Sequence, residues 1–210
     1  KKKSYKWLAL TANGWLVGKA AVAKNISLSI ELSKSSLAQA NETSDIYHQQ
    51  RVSSQLSEIY FQTGQTEKAI YYLQKSLEFG NNPYSSLRQK WRDLDFASNF
   101  FYGLANYETA LIFEKEALSL ANNNLNEKSF NFTSLVQLGL IYGTKGDFQK
   151  ALDYFSESQK ITETIPDAET KKLFSASTNL QLGSLYRINK NCSQAIEHYN
   201  QAISFYGEKK

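Results

Sequence analysis

The chain has 210 residues, 41% hydrophobic, 13% aromatic and 21% charged, with Gly 10, Pro 2, Cys 1, Met 0 and His 2, a globular composition that excludes disordered and collagen-like chains. Cys192 alone forbids an intrachain disulfide, and with only two histidines the ligands of a zinc cage are lacking, so no metal and no cofactor is expected. The net charge of +4 sits at the tips: without Lys1, Lys2, Lys3, Lys6, Lys209 and Lys210, 18 basic residues face 20 acidic ones, so no nucleic-acid partner is expected of the body.

Residues 1–4 read as a basic tail. Lys1 to Lys6, Trp7-Leu8-Ala9-Leu10 and Ala21-Val22-Ala23 have the outline of a secretory signal. Asn13, Gly14 and Lys19 interrupt its apolar run, and Trp7 to Gly18 is too short to span a bilayer. A helix of the folded part is therefore expected, with the cytosol as the compartment, or a secreted or periplasmic one if residues 1–23 derive from a signal.

From there the sequence repeats itself. Ala69, Ala110, Ala151 and Ala195 are spaced 41, 41 and 44 residues apart. Nine residues before each stands an aromatic: Tyr60, Phe101, Tyr142 and Tyr186. Four residues earlier come Leu56, Ala97, Leu138 and Leu182, each followed by a small residue, Ser57, Ser98, Gly139 or Gly183. Seven past each anchor lies Ser76, Ala117, Ser158 or Ala202. This spacing predicts two antiparallel helices per unit, with small residues letting the helices approach and bulky ones filling the space between units. Thr63-Gly64-Gln65, Lys145-Gly146-Asp147 and Asn189-Lys190-Asn191 supply the reversals. The expected division is a degenerate unit at 5–41, carrying Leu16, Val17, Ala20, Ile26, Ser29, Ile30, Ser36 and Leu37 in register, then repeats at 42–82, 83–123, 124–165 and 166–207, and a tail at 208–210.

The unit running from Leu138-Gly139-Leu140-Ile141-Tyr142 through Gly146-Asp147-Phe148 to Ala151-Leu152-Asp153-Tyr154-Phe155 resembles a tetratricopeptide repeat. The last unit keeps Leu182, Gly183, Tyr186, Ala195, Tyr199 and Ala202 but has Lys190 and Cys192 where Gly and an aromatic are usual. The resemblance implies an all-α fold, a right-handed superhelical solenoid of stacked antiparallel helix pairs. The units are longer than the usual ~34 residues, and the surplus is expected in the first helices, at 84–104, 125–144 and 167–189. Lengthened repeats of this kind are similar to those of kinesin light chains, bacterial peptide-pheromone receptors and the sensory segments of some histidine kinases, all of which bind peptides or proteins.

Such an array presents a concave wall lined by the first helix of each unit. Carrying the family's groove positions over gives Arg51, Gln55 and Glu58, then Arg92, Asp95, Asn99 and Tyr102, then Val136, Gln137 and Leu140, then Leu180, Gln181, Ser184 and Arg187. Gln55, Asn99, Gln137 and Gln181 each carry a donor and an acceptor and could hold an extended peptide by its backbone. Arg51, Arg92 or Arg187 could grip a carboxylate bidentately. The plainer alternative is a set of solvated amphipathic faces. Ser54 and Glu58 occupy the positions of the chaperone-type carboxylate clamp, so heat-shock protein tails are not implied.

Catalytic patterns are missing. Gly143-Thr144-Lys145-Gly146 lacks the order of a phosphate loop, and neither a hydrolase elbow nor a zinc-protease helix occurs. His48 and His198 read as surface or half-buried helix residues, Cys192 as a packed thiol, and Asp93 with Asp95 and Glu114 with Glu116 as solvated charge on diverging faces. No acid-base pair stands out. Ile196, Tyr199, Ile203 and Phe205 are expected to leave apolar surface on the last helix, the mark of a truncated array, a further domain or a homo-oligomer contact. The expected function is thus a non-catalytic peptide- or protein-binding scaffold. The alternative is the peptide-sensing regulatory part of a larger bacterial signalling protein.

Overall fold

The computed structural model describes residues 25–125 and 127–207, the side chains of the last two aside. The signal-like segment and Leu16, Val17 and Ala20 of the degenerate unit lie outside these residues. Among the described residues there are nine α-helices and no strand: α1 (Ile26–Glu42), α2 (Ile46–Gln62), α3 (Thr66–Gly80), α4 (Leu87–Gly103), α5 (Tyr107–Leu120), α6 (Lys128–Thr144), α7 (Phe148–Glu163), α8 (Ala168–Ile188) and α9 (Cys192–Gly207), with one π-helical turn at Ala121–Leu125. The fold is all-α, as expected. The chain divides into two compact units within α4, after Asp93.

In unit 1, α1 turns a stripe of small residues inward, Ser29, Ser33, Ser36 and Ala40, one face at helical spacing. Asp45 caps α2, accepting from His48 N at 3.1 Å, while its other oxygen meets His48 Nδ1 at 2.8 Å. His48 is more deeply buried than expected and serves this cap. The α2–α3 reversal runs through Gly64 at φ 73°, a left-handed conformation that glycine adopts without strain. Ala69 is fully buried, and Ser57 Oγ donates to its carbonyl at 2.8 Å. The small residues before and at the anchor thus let the two helices touch and tie them.

Unit 2 repeats the scheme. Asn106, Asp147 and Asp167 cap α5, α7 and α8, accepting from Thr109 N at 3.2 Å, Lys150 N at 3.3 Å and Thr170 N at 2.7 Å. Gly146 at φ 85° and Lys190 at φ 60° make the last two reversals. Ala110 and Ala151 are fully shielded. Leu138, Ile141, Phe155, Leu182 and Leu185 form one apolar core, beside which the rings of Phe132 and Phe174 stack at 3.9 Å between centroids.

One regularity escapes the sequence reading. The aromatic before each anchor stacks on the residue twelve positions later: Tyr60 on Tyr72 at 5.6 Å, Phe101 on Phe113 at 5.7 Å, Tyr142 on Tyr154 at 5.5 Å and Tyr186 on His198 at 5.3 Å. These aromatics therefore close each hairpin on itself, and Tyr186 also meets a ring of the preceding hairpin, Phe148, edge-on at 5.5 Å. His198 fills an aromatic slot, and burial holds its imidazole below the usual histidine range.

Other expectations are corrected. The first helices α4 and α6 have 17 residues each, and only α8, with 21, is long. The remaining surplus goes into connections, a turn through Asn81-Asn82-Pro83 and the π-helical turn that carries Asn122-Asn123-Asn124. Cys192 is exposed, since it opens α9 and lies outside the packed face. On α9, Ile196 and Ile203 are exposed as expected, but Phe205 is buried and Tyr199 half-buried, because the Tyr199 ring lies against Gly183. No described helix is long and apolar enough to cross a membrane.

Candidate functional site

Of the four carboxylates expected as solvated charge, Asp93 and Glu114 are fully buried and Asp95 is half-buried. In unit 1, Asp93 is fully shielded and accepts from Gln50 Nε2 and Gln89 Nε2, both at 2.9 Å. Burial pushes its carboxyl up to about 6, against the pull of these amides and of Ser54 and Arg92. In unit 2, Asp95 and Glu114 lie close enough to interact, on adjacent α4 and α5, with Ser98 and Ser134 around Glu114. Two residues along a helix diverge, so Asp93 and Asp95 part company, but the next helix brings Glu114 to Asp95. Burial, then the repulsion of Asp95, pushes Glu114 up to about 8, and burial lifts Asp95 to about 6. Glu114 has no solvent exposure, so this acid pair is closed to a substrate. Glu116 is exposed.

The predicted groove residues fall on the two units. In unit 1, Arg51 and Gln55 are half-buried one turn apart on α2, with Glu58 exposed beyond them; Arg92 on α4 is exposed. In unit 2, Asn99 is exposed and its amide donates to the Asp95 carbonyl at 2.9 Å. Tyr102 is half-buried, its hydroxyl 3.0 Å from Thr144 Oγ1. Gln137 is 7% exposed, and its Nε2 meets no hydrogen-bond partner. Gln181 and Ser184 are half-buried and Arg187 is exposed near the end of α8.

Four of the residues carried over to the groove, Tyr102, Leu140, Gln181 and Ser184, converge on one cavity of about 240 Å³ in unit 2, joined by Thr144 and Ile188. Asn99, Gln137, Val136, Leu180 and Arg187 do not line it. Thr144 and Ile188 stand one turn beyond Leu140 and Ser184, so extending the groove register by four residues would have found them. The depth comes from α6. At Gly139 and Gly143, which also line the cavity, an added Cβ would lie 2.6 Å from Phe155 and 2.8 Å from Leu185. Bare backbone therefore faces α7 and α8 at close range. Among the described residues no group of three or more His, Cys, Asp or Glu could hold a metal ion.

Helix pairs repeated at near-constant spacing, closed by stacked rings and opening a cavity between first helices, define a helical-repeat protein-interaction scaffold. The chain carries tetratricopeptide repeats at residues 51–79, 132–164 and 176–208, where the model of that family matches. No curated protein matches it in sequence. Solved structures share its fold. The apo form of RapI is 15% identical, with a TM-score of 0.79 over 98% of this chain and 71% of that one. A putative kinesin light chain from Podosopora anserina with nearly identical TPR-like repeats is 14% identical, with a TM-score of 0.75 over 96% of each. A Rap protein complexed with competence and sporulation factor is 18% identical, with a TM-score of 0.70 over 96% of this chain and 55% of that one. At these identities the likeness is one of fold.

Proposed function

We propose that the chain is a non-catalytic scaffold holding an extended peptide or protein segment against the first-helix faces of its repeats, which we assign to 42–82, 83–123, 124–165 and 166–207 after a degenerate unit at 5–41. The observation that carries this is the convergence in unit 2 of side chains from three first helices, α4, α6 and α8, on one cavity. Convex helix faces do not gather polar groups from three elements around a hollow. Gln181 there offers a donor and an acceptor to a peptide backbone, and Arg187 an exposed guanidinium for a carboxylate nearby on the same helix. In unit 1, Arg51, Gln55 and Arg92 are the corresponding groups.

The fold-likeness to a Rap protein complexed with competence and sporulation factor supports a second reading, a sensory part of a larger signalling protein whose ligand biases an effector. The two differ in that a sensor changes its global shape on binding.

Affinity capture with the whole chain, compared with the Asn99→Ala, Gln181→Ala double variant, tests the groove. Loss of bound partners with circular dichroism unchanged is expected; the same partners at the same yield would refute the reading. Small-angle scattering with and without the captured partner then separates scaffold from sensor.

A further inference from the structure

The cavity of unit 2 has no charged side chain in its lining. Its hydroxyls are already engaged. Thr144 Oγ1 donates to the Leu140 carbonyl at 2.9 Å and stands 3.0 Å from the Tyr102 hydroxyl. Ser184 Oγ lies 3.1 Å from the Leu180 carbonyl and 3.2 Å from the Tyr199 hydroxyl. What remains for an entering group is apolar, chiefly Leu140 and Ile188 over the nearly buried Phe155 and Leu185, with the Gln181 amide as the polar exception. Ile188 is 56% exposed, so it offers uncovered apolar surface.

These features select the occupant. An ionised side chain would give up its hydration with no countercharge in the lining to replace it. An apolar one gains by hiding its surface from water. The volume of about 240 Å³ falls below the ~300–1,000 Å³ of sites for drug-sized molecules, and matches one side chain rather than a cofactor. The floor is set at Gly139 and Gly143, where Phe155 and Leu185 fill the space that a Cβ would take and pack directly on bare backbone.

Resting on the peptide-binding reading, we propose that this cavity is an anchor pocket for one uncharged, apolar side chain of the bound peptide, with the Gln181 amide holding the adjacent backbone. Charged ends of the peptide then fall outside the pocket, and Leu140, Leu185 and Ile188 set the preference at the anchor position.

The test is selection of a random peptide library displayed on phage against the whole chain, repeated on Ser184→Trp, which fills the cavity, and Ile188→Asp, which places a charge in its lining. The wild type is expected to enrich peptides sharing one Leu, Ile, Met or Phe, and each variant to capture those peptides at least tenfold less well. If Ser184→Trp loses helical signal, Ile188→Asp, at an exposed position, carries the test. Selected peptides that share no apolar residue, or bind both variants as well as the wild type, would overturn the anchor pocket. The groove reading would survive that result if Gln181→Ala still weakened capture, whereas failure to enrich any peptide would overturn both.

Discussion

Gly139→Ala is the sharpest probe of how the repeats are packed. The new methyl would stand 2.6, 2.8 and 2.8 Å from three atoms of the Phe155 ring. Ordinary contact begins near 3.4 Å, so α6 or the ring must retreat by close to an ångström. Phe155 is 1% exposed and sits in the apolar core of unit 2, an interior that compresses little. Overpacking of this kind costs about 1–3 kcal/mol, while alanine returns about 1 kcal/mol of helix propensity over glycine. The expected net loss is up to about 2 kcal/mol. Gly183→Ala is the comparison: its methyl would meet Tyr199 at 2.6 Å, but that ring is half-buried on the last helix rather than in the core, so a smaller loss is expected. Urea unfolding followed by circular dichroism should show a larger drop in midpoint for Gly139→Ala than for Gly183→Ala. Equal midpoints for the two variants, or a stabilised Gly139→Ala, would refute the packing argument.

Further outcomes follow from the buried polar and aromatic groups. Glu114 is raised, so its stabilising protonated form is fully present below about 4.5 and is lost as pH rises through about 8; Glu114→Gln should raise stability by about 2–4 kcal/mol at pH 8 and far less near pH 5, and an equal effect at both pH values would contradict the burial of an acid there. His198 is depressed by burial, so stability is complete above its ordinary 6.5 and falls as pH drops through and below that value. His198→Tyr, which copies Tyr72 and Tyr154 in the other hairpins, should raise the thermal midpoint on the acid side only, and a shift of equal size above pH 7 would count against it. Phe132→Ala removes a buried ring stacked at 3.9 Å and should cost about 3–5 kcal/mol; a loss under about 1 kcal/mol would place that ring outside the core.

The fold was legible because the repeat writes its contacts at fixed offsets. Ala69, Ala110, Ala151 and Ala195 are all buried, as their spacing demanded, since a hairpin can close only where one helix lacks a side chain. Spacing along a single helix, however, says nothing about the neighbouring helix. Asp93 and Asp95 diverge on α4 as geometry requires, yet each turns into a core, and Glu114 reaches Asp95 from α5. Nothing in either helix alone signals that meeting. His198 likewise reads as a solitary histidine until the stacked pairs at Tyr60–Tyr72, Phe101–Phe113 and Tyr142–Tyr154 are lined up with it. The segment between the matched stretches 51–79 and 132–164 carries Ala97-Ser98 in place of Leu-Gly. Its helices form all the same, because small size at those positions, rather than residue identity, is what the packing needs.

Of the residues lining the cavity, Tyr102, Gln181, Leu140 and Ser184 could be named by carrying over the groove positions that the family resemblance implies. The cavity they border could not, because it depends on Gly139 and Gly143 bringing Phe155 and Leu185 close. The first-helix lengths failed for a local reason: the turn after Asn82 delays α4 to Leu87, and the connection after Asn124 delays α6 to Lys128.

On the proposed function, the first-helix face of unit 2 receives the partner. A library-selected peptide carrying a nitroxide label, added to the isotopically labelled chain, would broaden amide signals by proximity. Loss of intensity centred on Thr144, Gln181, Ser184 and Ile188, with Glu116, Asp153 and Glu157 on the second helices unaffected, is the expected result. Broadening centred on those second-helix residues instead would contradict the account.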